Sequence, residues 1–381
     1  MYQNTPDNAY PDRITLKISD DAIQDLQTRL GKTRWPDEIG NEQWEYGTNS
    51  AFLKSLCQYW ERDFDFTAML EWLNSFDHFK TMVDDLGIHY VHQKSSAIDA
   101  IPLLILHGWP STYIQMLEML PKLTNPDSGQ AFHVVVASLP GYGLSDAAAE
   151  PGMALERIAG IMTALMKKLG YERFGARGSD LGGTVIDQIA RHYPQSLIGA
   201  HLTGIIVAGG APAPPDASES EQAFLDASGQ MAMMEIAYAR LHMSKPQTLA
   251  YGLNDSPAGL ASWIVEKYHS WGDTSGDVES RFDRQYLLTT FSTYWFTESI
   301  NSSIRLYYEM VRNRGNMDRI EVPCGFLQTH QDLFPCAPRE WAERSHNVVH
   351  WSETHKGGHF LEWEEPELVA RDLQKFFESI K

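Results

Sequence analysis

Between Gly175 and Gly183 the chain reads GARGSDLGG, a run of small residues around one carboxylate, Asp180. An ionised aspartate is a nucleophile at neutral pH without a base to activate it, which suits displacement at saturated carbon. Ser179 lies one position early and would point elsewhere, so a serine esterase is the weaker reading. Asp332 follows the strand-like CGFLQ, and His359 follows NVVHWSETH inside KGGHF. Singly these residues are ordinary: an aspartate before a helix is often an N-cap, a loop acid is usually solvated, and a lone histidine is usually structural. Their order across three strand ends, nucleophile then acid then histidine, is what makes them a candidate catalytic set.

The elements that must position them follow from hydrophobic patterning. GIHYVHQ (87–93), IPLLILHG (101–108), FHVVVASLPG (132–141), RFGARGSD (173–180) and GAHLTGIIV (199–207) have strand character, and their continuous apolar runs fit strands buried on both faces. Helical stretches lie between them: TYIQMLEMLPKL, ALERIAGIMTALMKKLG, and GTVIDQIARHY starting near Thr184. This alternation predicts a mostly parallel, doubly wound α/β sheet. Ahead of it, a helix capped at Ser19 or Asp20 and ended by Trp35-Pro36 precedes two aromatic-rich helices. From 216 to 318 the alternation stops and the sequence reads as helices dense in Met, Tyr and Trp; strands resume at VPCGFLQTH (322–330) and NVVHWSETH (347–355).

The expected organisation is therefore an N-terminal extension (1–86), a first core segment (87–215), an inserted helical cap (216–318) and a second core segment (319–381). A nucleophile on a strand-to-helix turn with an acid and a histidine later in the chain is the order of the α/β-hydrolase fold. In that fold an early loop and the residue after the nucleophile supply the oxyanion-hole N–H groups, here Trp109 of LILHGWP and Leu181.

Composition narrows the partners. With 31 Lys+Arg against 50 Asp+Glu the formal net charge is -19, which repels phosphate backbones and anionic lipid, so no nucleic acid and no membrane surface is expected. The 3 cysteines are too dispersed for a zinc site or a disulfide framework. No basic n-region with an apolar core and no long uncharged apolar run is present, so a soluble, cytoplasmic protein without a membrane anchor is expected. Self-association is left open.

Several long motifs together resemble the epoxide hydrolases of the microsomal type: TRWP, LNSFDHF and GIHYVHQ in the extension, HGWPS, SLPGYGLSD and GSDLGG in the core, TLAYGLNDSPAGLASWIVEKY in the cap, and GGHFLEWEEPE near the end. The resemblance covers nearly the whole chain. It implies an α/β-hydrolase fold with an N-terminal extension and a helical cap. It also implies Asp180 as nucleophile, His359 as base and Asp332 as its partner, with Tyr238 and Tyr307 holding the epoxide oxygen; Tyr308 is the neighbouring alternative to Tyr307. The chain departs from the family at Leu181, where tryptophan is usual, and at QTHQD before the acid.

These residues imply conversion of a small-molecule epoxide and water to a vicinal diol through an ester on Asp180, with no metal or organic cofactor. The 16 Phe, 16 Tyr and 11 Trp favour an apolar or aromatic substrate. Alternatives are a haloalkane or haloacid dehalogenase, which needs halide-binding N–H donors, an enzyme opening an epoxide with an internal hydroxyl, and a non-catalytic ligand-binding protein on the same fold.

Overall fold

The computed structural model describes residues 13–205, 213–313 and 315–380. Its centre is one 8-stranded sheet in the order β1-β2-β4-β3-β5-β6-β7-β8. The strands are β1 (His78–Val83), β2 (Leu86–Gln93), β3 (Ile101–Leu106), β4 (Phe132–Ala137), β5 (Phe174–Ser179), β6 (Leu197–Thr203), β7 (Ile320–Thr329) and β8 (His346–Thr354). β1 pairs antiparallel with β2 and β2 with β4, while every pairing from β4 to β8 is parallel. Leu103 to Leu106 and Val134 to Ala137 have no exposed surface, as expected of central strands covered by helices on both faces.

The sheet departs from the patterning in informative places. β1, HFKTMV, was not foreseen: it is an edge strand whose Lys80 and Met82 keep contact with solvent, so no continuous apolar run marks it. TYIQMLEMLPKL is a 3-10 helix from Tyr113 to Met119 before a short α-helix, because Pro121 has no N–H to give and breaks an α-helix running through it. The first helix is capped by Ser19, as one of the two expected caps, but stops at Gly31 rather than at Trp35-Pro36. The helix expected near Thr184 begins at Asp180. β6 ends at Thr203; the last residues of the 199–207 stretch, and most of the Gly/Pro-rich run after it, lie outside the described residues.

Between β6 and β7 the described residues form helices only, from Glu219–Met234 to Ile300–Arg312. They lie over the carboxyl ends of the strands, where ligands bind in open α/β sheets. The N-terminal helices brace them. Trp60 Nε1 donates to Ser292 at 3.0 Å, Thr48 to the Ser262 carbonyl at 2.8 Å, Arg29 pairs with Asp255 at 2.7 Å, and Trp44 stacks on His269. No helix among the described residues is long and apolar enough to cross a membrane.

Candidate active site

Asp180 stands at the first turn of the helix Asp180–His192 with φ +49°, a left-handed conformation that is strained for a residue with a Cβ. Close packing of glycines over-determines it. A Cβ on Gly182 would lie 2.3 Å from the Leu106 carbonyl oxygen, one on Gly178 2.7 Å from the Gly182 backbone, and one on Gly108 2.2 Å from Asp180 Oδ1. The turn thus presses the carboxylate against the loop after β3. Trp109 N–H donates to Asp180 Oδ1 at 2.9 Å. Asp180 is therefore no helix N-cap of the usual kind; its carboxylate is held by the N–H of a distant loop.

Its other oxygen, Oδ2, faces His359 Nε2 at 3.7 Å. On the far side of the ring His359 Nδ1 lies 3.0 Å and 3.2 Å from the two oxygens of Asp332, which fixes Nδ1 as the donor. Burial pushes the Asp180 carboxyl up, against the lowering effects of His359 and the Leu181 and Trp109 N–H groups. For His359 burial is the largest influence and lowers it, but Asp332, Asp180 and Glu362 together outweigh it and hold the imidazole up to about 9. Asp180, Asp332 and His359 line one small cavity with Thr203, Gln328 and Phe334.

The two tyrosines hang from the cap above. Tyr238, on the helix Ala237–Ser244, stacks on the Trp109 ring with centroids 5.2 Å apart, and Tyr307, on Ile300–Arg312, meets Trp109 edge-on at 6.1 Å. Their rings meet edge-on with centroids 6.2 Å apart. Burial raises both phenols, and the Asp180 charge raises them further, so both are protonated at neutral pH. Tyr308 points elsewhere: it is half-buried under the Arg312 guanidinium, 3.4 Å from its ring. All seven residues singled out by the sequence thus meet in one place, and Tyr307 rather than Tyr308 faces it.

Some neighbours were not singled out. Trp271 packs edge-on against His359 at 5.0 Å, and its carbonyl accepts the His359 N–H at 2.8 Å. His242 touches Trp109, Tyr238 and Tyr307 with its ring; it accepts from Trp263 Nε1 at 3.2 Å, and burial, aided by Lys267, pushes it down to about 3. Below the turn, fully buried Arg177 pairs with Glu362 at 2.7 Å and donates to Thr203 at 2.6 Å, tying β5 to the segment after His359. Glu364 accepts from Gly358, Phe360 and Asp273 N–H groups, yet burial still lifts its carboxyl to about 7. The helical spacing of His242 from Tyr238 was readable in sequence; the others act through backbone contacts that leave no pattern.

Two families match the chain: epoxide hydrolase N terminus over residues 11–116, and alpha/beta hydrolase fold over 101–242. Epoxide hydrolase 1 of Oryctolagus cuniculus is 33% identical over 401 residues, spanning 95% of this chain and 87% of that protein. Juvenile hormone epoxide hydrolase from the silkworm Bombyx mori has a crystal structure with a TM-score of 0.86 at 30% identity, covering 97% of this chain and 93% of that one. Aspergillus niger epoxide hydrolase gives 0.86 at 28% identity, covering 97% and 96%.

Proposed function

Because the chain belongs to the epoxide hydrolase family, we propose that it opens its epoxide by forming an ester on Asp180 and hydrolyses that ester with water activated by His359. The observation that carries this reading is the inequivalence of the two Asp180 oxygens: Oδ1 is bound by Trp109 N–H, while Oδ2 faces His359 and the cavity. Oδ2 attacks an epoxide carbon, the C–O bond of the ring breaks, and Tyr238 or Tyr307 gives its proton to the departing oxygen. An alkoxide is more basic than a phenolate, so no stronger acid is required.

Proton accounting gives the raised His359 a role. At rest the imidazolium faces the Asp180 carboxylate. Esterification removes that charge, one of the causes holding His359 up, and the imidazolium proton passes through water to the tyrosinate, leaving both groups neutral. Neutral His359 then takes a proton from water, whose oxygen attacks Asp180 Cγ. The oxyanion forms on Oδ1, facing the Trp109 and Leu181 N–H groups. As the ester C–O bond breaks, the diol leaves with a proton and both the carboxylate and the imidazolium are restored. The aromatic walls supplied by Trp109, Trp271 and Phe334 fit an apolar or aromatic epoxide.

The test is the intact mass of a His359→Gln variant after mixing with styrene oxide, with Asp180→Asn as control. The expected outcome is an increment equal to the whole epoxide, present in the first variant and absent from the second. One observation favours a haloalkane as a second reading: the buried indole N–H groups of Trp109 and Trp271 have no hydrogen-bond partner among the described residues and could hold a halide. An adduct from a haloalkane lacking its halogen, with none from epoxides, would replace the first reading by this one.

A further inference from the structure

All four backbone N–H groups of the loop carrying His359 are bound. Gly357 donates to Asp273 Oδ2 at 3.1 Å, Gly358 to Glu364 Oε2 at 3.0 Å, His359 to the Trp271 carbonyl at 2.8 Å and Phe360 to Glu364 Oε1 at 3.1 Å. Glu364 Oε2 accepts Asp273 N–H as well, at 2.8 Å. A single carboxylate therefore grips the residues on both sides of His359 and, through the same oxygen, the cap. Asp273 is held in turn by Arg281 at 2.7 Å, and Arg281 reaches Glu365 at 3.2 Å.

Hydrogen bonds from the two residues that flank His359 to one carboxyl group fix the path of the backbone between them. We propose that Glu364 is the positioning residue for His359, setting where Nε2 meets the hydrolytic water and joining that setting to the seated position of the cap. The inference rests on the reading of Asp180 as nucleophile and His359 as base. Ring opening uses Asp180, Tyr238 and Tyr307, none of which is bonded to Glu364. Ester hydrolysis depends on the placement of Nε2, and a misplacement of about 1 Å at a reacting group costs on the order of 100-fold.

The experiment is rapid-quench mass analysis of Glu364→Gln and Glu364→Ala with styrene oxide, beside wild type and His359→Gln. A Gln keeps one acceptor oxygen. Ester hydrolysis is expected to fall about 10-fold for Gln and about 100-fold for Ala, the ester fraction at steady state rising accordingly, with ring opening within about 2-fold of wild type. If Glu364→Ala does not fold, Glu364→Gln carries the test. Equal slowing of both steps, or a lower melting temperature with neither step changed, overturns the proposal. If His359→Gln traps ester and Glu364→Gln does not, the positioning role alone fails; if His359→Gln traps none, the assignment of the base fails and the proposal falls with it.

Discussion

The nucleophile and the base are held by different physics. Asp180 is fixed by contact: a single added carbon would collide with the Leu106 and His107 carbonyl oxygens at Gly182, with the Gly182 backbone at Gly178 and with the Asp180 side chain itself at Gly108. His359 and its loop are fixed by hydrogen bonds to side chains and to the cap, namely the carboxylates of Asp332, Glu364 and Asp273 and one carbonyl of the cap. The steric side cannot be adjusted without breaking the fold. The hydrogen-bonded side can drift, respond to pH and follow the cap.

The largest effect should come from adding one methyl group to each side. Gly182→Ala would set Cβ 2.3 Å from the Leu106 oxygen, both within the core, and should cost about 3 kcal/mol or more in denaturant unfolding and abolish ester formation. Gly358→Ala would meet the Trp271 oxygen at 2.4 Å, but across the seam with the cap, where the cap can back away. The expected stability loss is then nearer 1 kcal/mol, with ester hydrolysis slowed more than ring opening. Equal unfolding costs for the two would erase the distinction.

The tyrosines come next. Tyr238→Phe or Tyr307→Phe should slow ring opening in single-turnover assays by about 100-fold, the lower end for loss of one oxyanion donor, because the remaining phenol still faces the oxygen. The double variant should lose more than the product of the two, since each single variant keeps one phenol to serve the departing oxygen and the double keeps neither. Simple additivity would mean that they act independently.

The smallest effect lies in stability against pH. His359 is raised to about 9 in the folded protein from an ordinary value near 6.5, so its pairing stabilises fully below about 6.5 and loses that contribution as pH rises through about 9. The melting-temperature advantage of wild type over His359→Gln should shrink across that window. Glu364, raised to about 7, acts with the same sign at lower pH, losing its contribution from about 4.5 upward. An advantage that is flat from 6.5 to 9 would show that His359 is not the group held by the two aspartates.

Central strands were legible because residues such as those of IPLLIL and FHVVVA must be apolar on both faces. HFKTMV was not, since an edge strand needs only one buried side, and two of its buried residues, His78 and Thr81, are polar, His78 bonding His89 and the Leu73 carbonyl. The order of Asp180, Asp332 and His359 was readable because each follows a segment of strand character. The start of the helix at Asp180 was not, because a positive φ on aspartate is imposed by the packing of Gly182 on Leu106, far away in sequence. Glu364 was invisible for a similar reason. It touches backbone rather than side chains, and one of its three donors lies in the cap.

The stitches between the N-terminal helices and the cap have a consequence for recombining such chains. Trp60 with Ser292, Thr48 with Ser262 and Arg29 with Asp255 make the extension and the cap one cassette, although the core sequence separates them. A crossover that exchanged the cap alone would set the Trp60 indole and the Arg29 guanidinium against foreign partners. Exchanging both segments together would keep the surface under the cap and the tyrosines it carries in register.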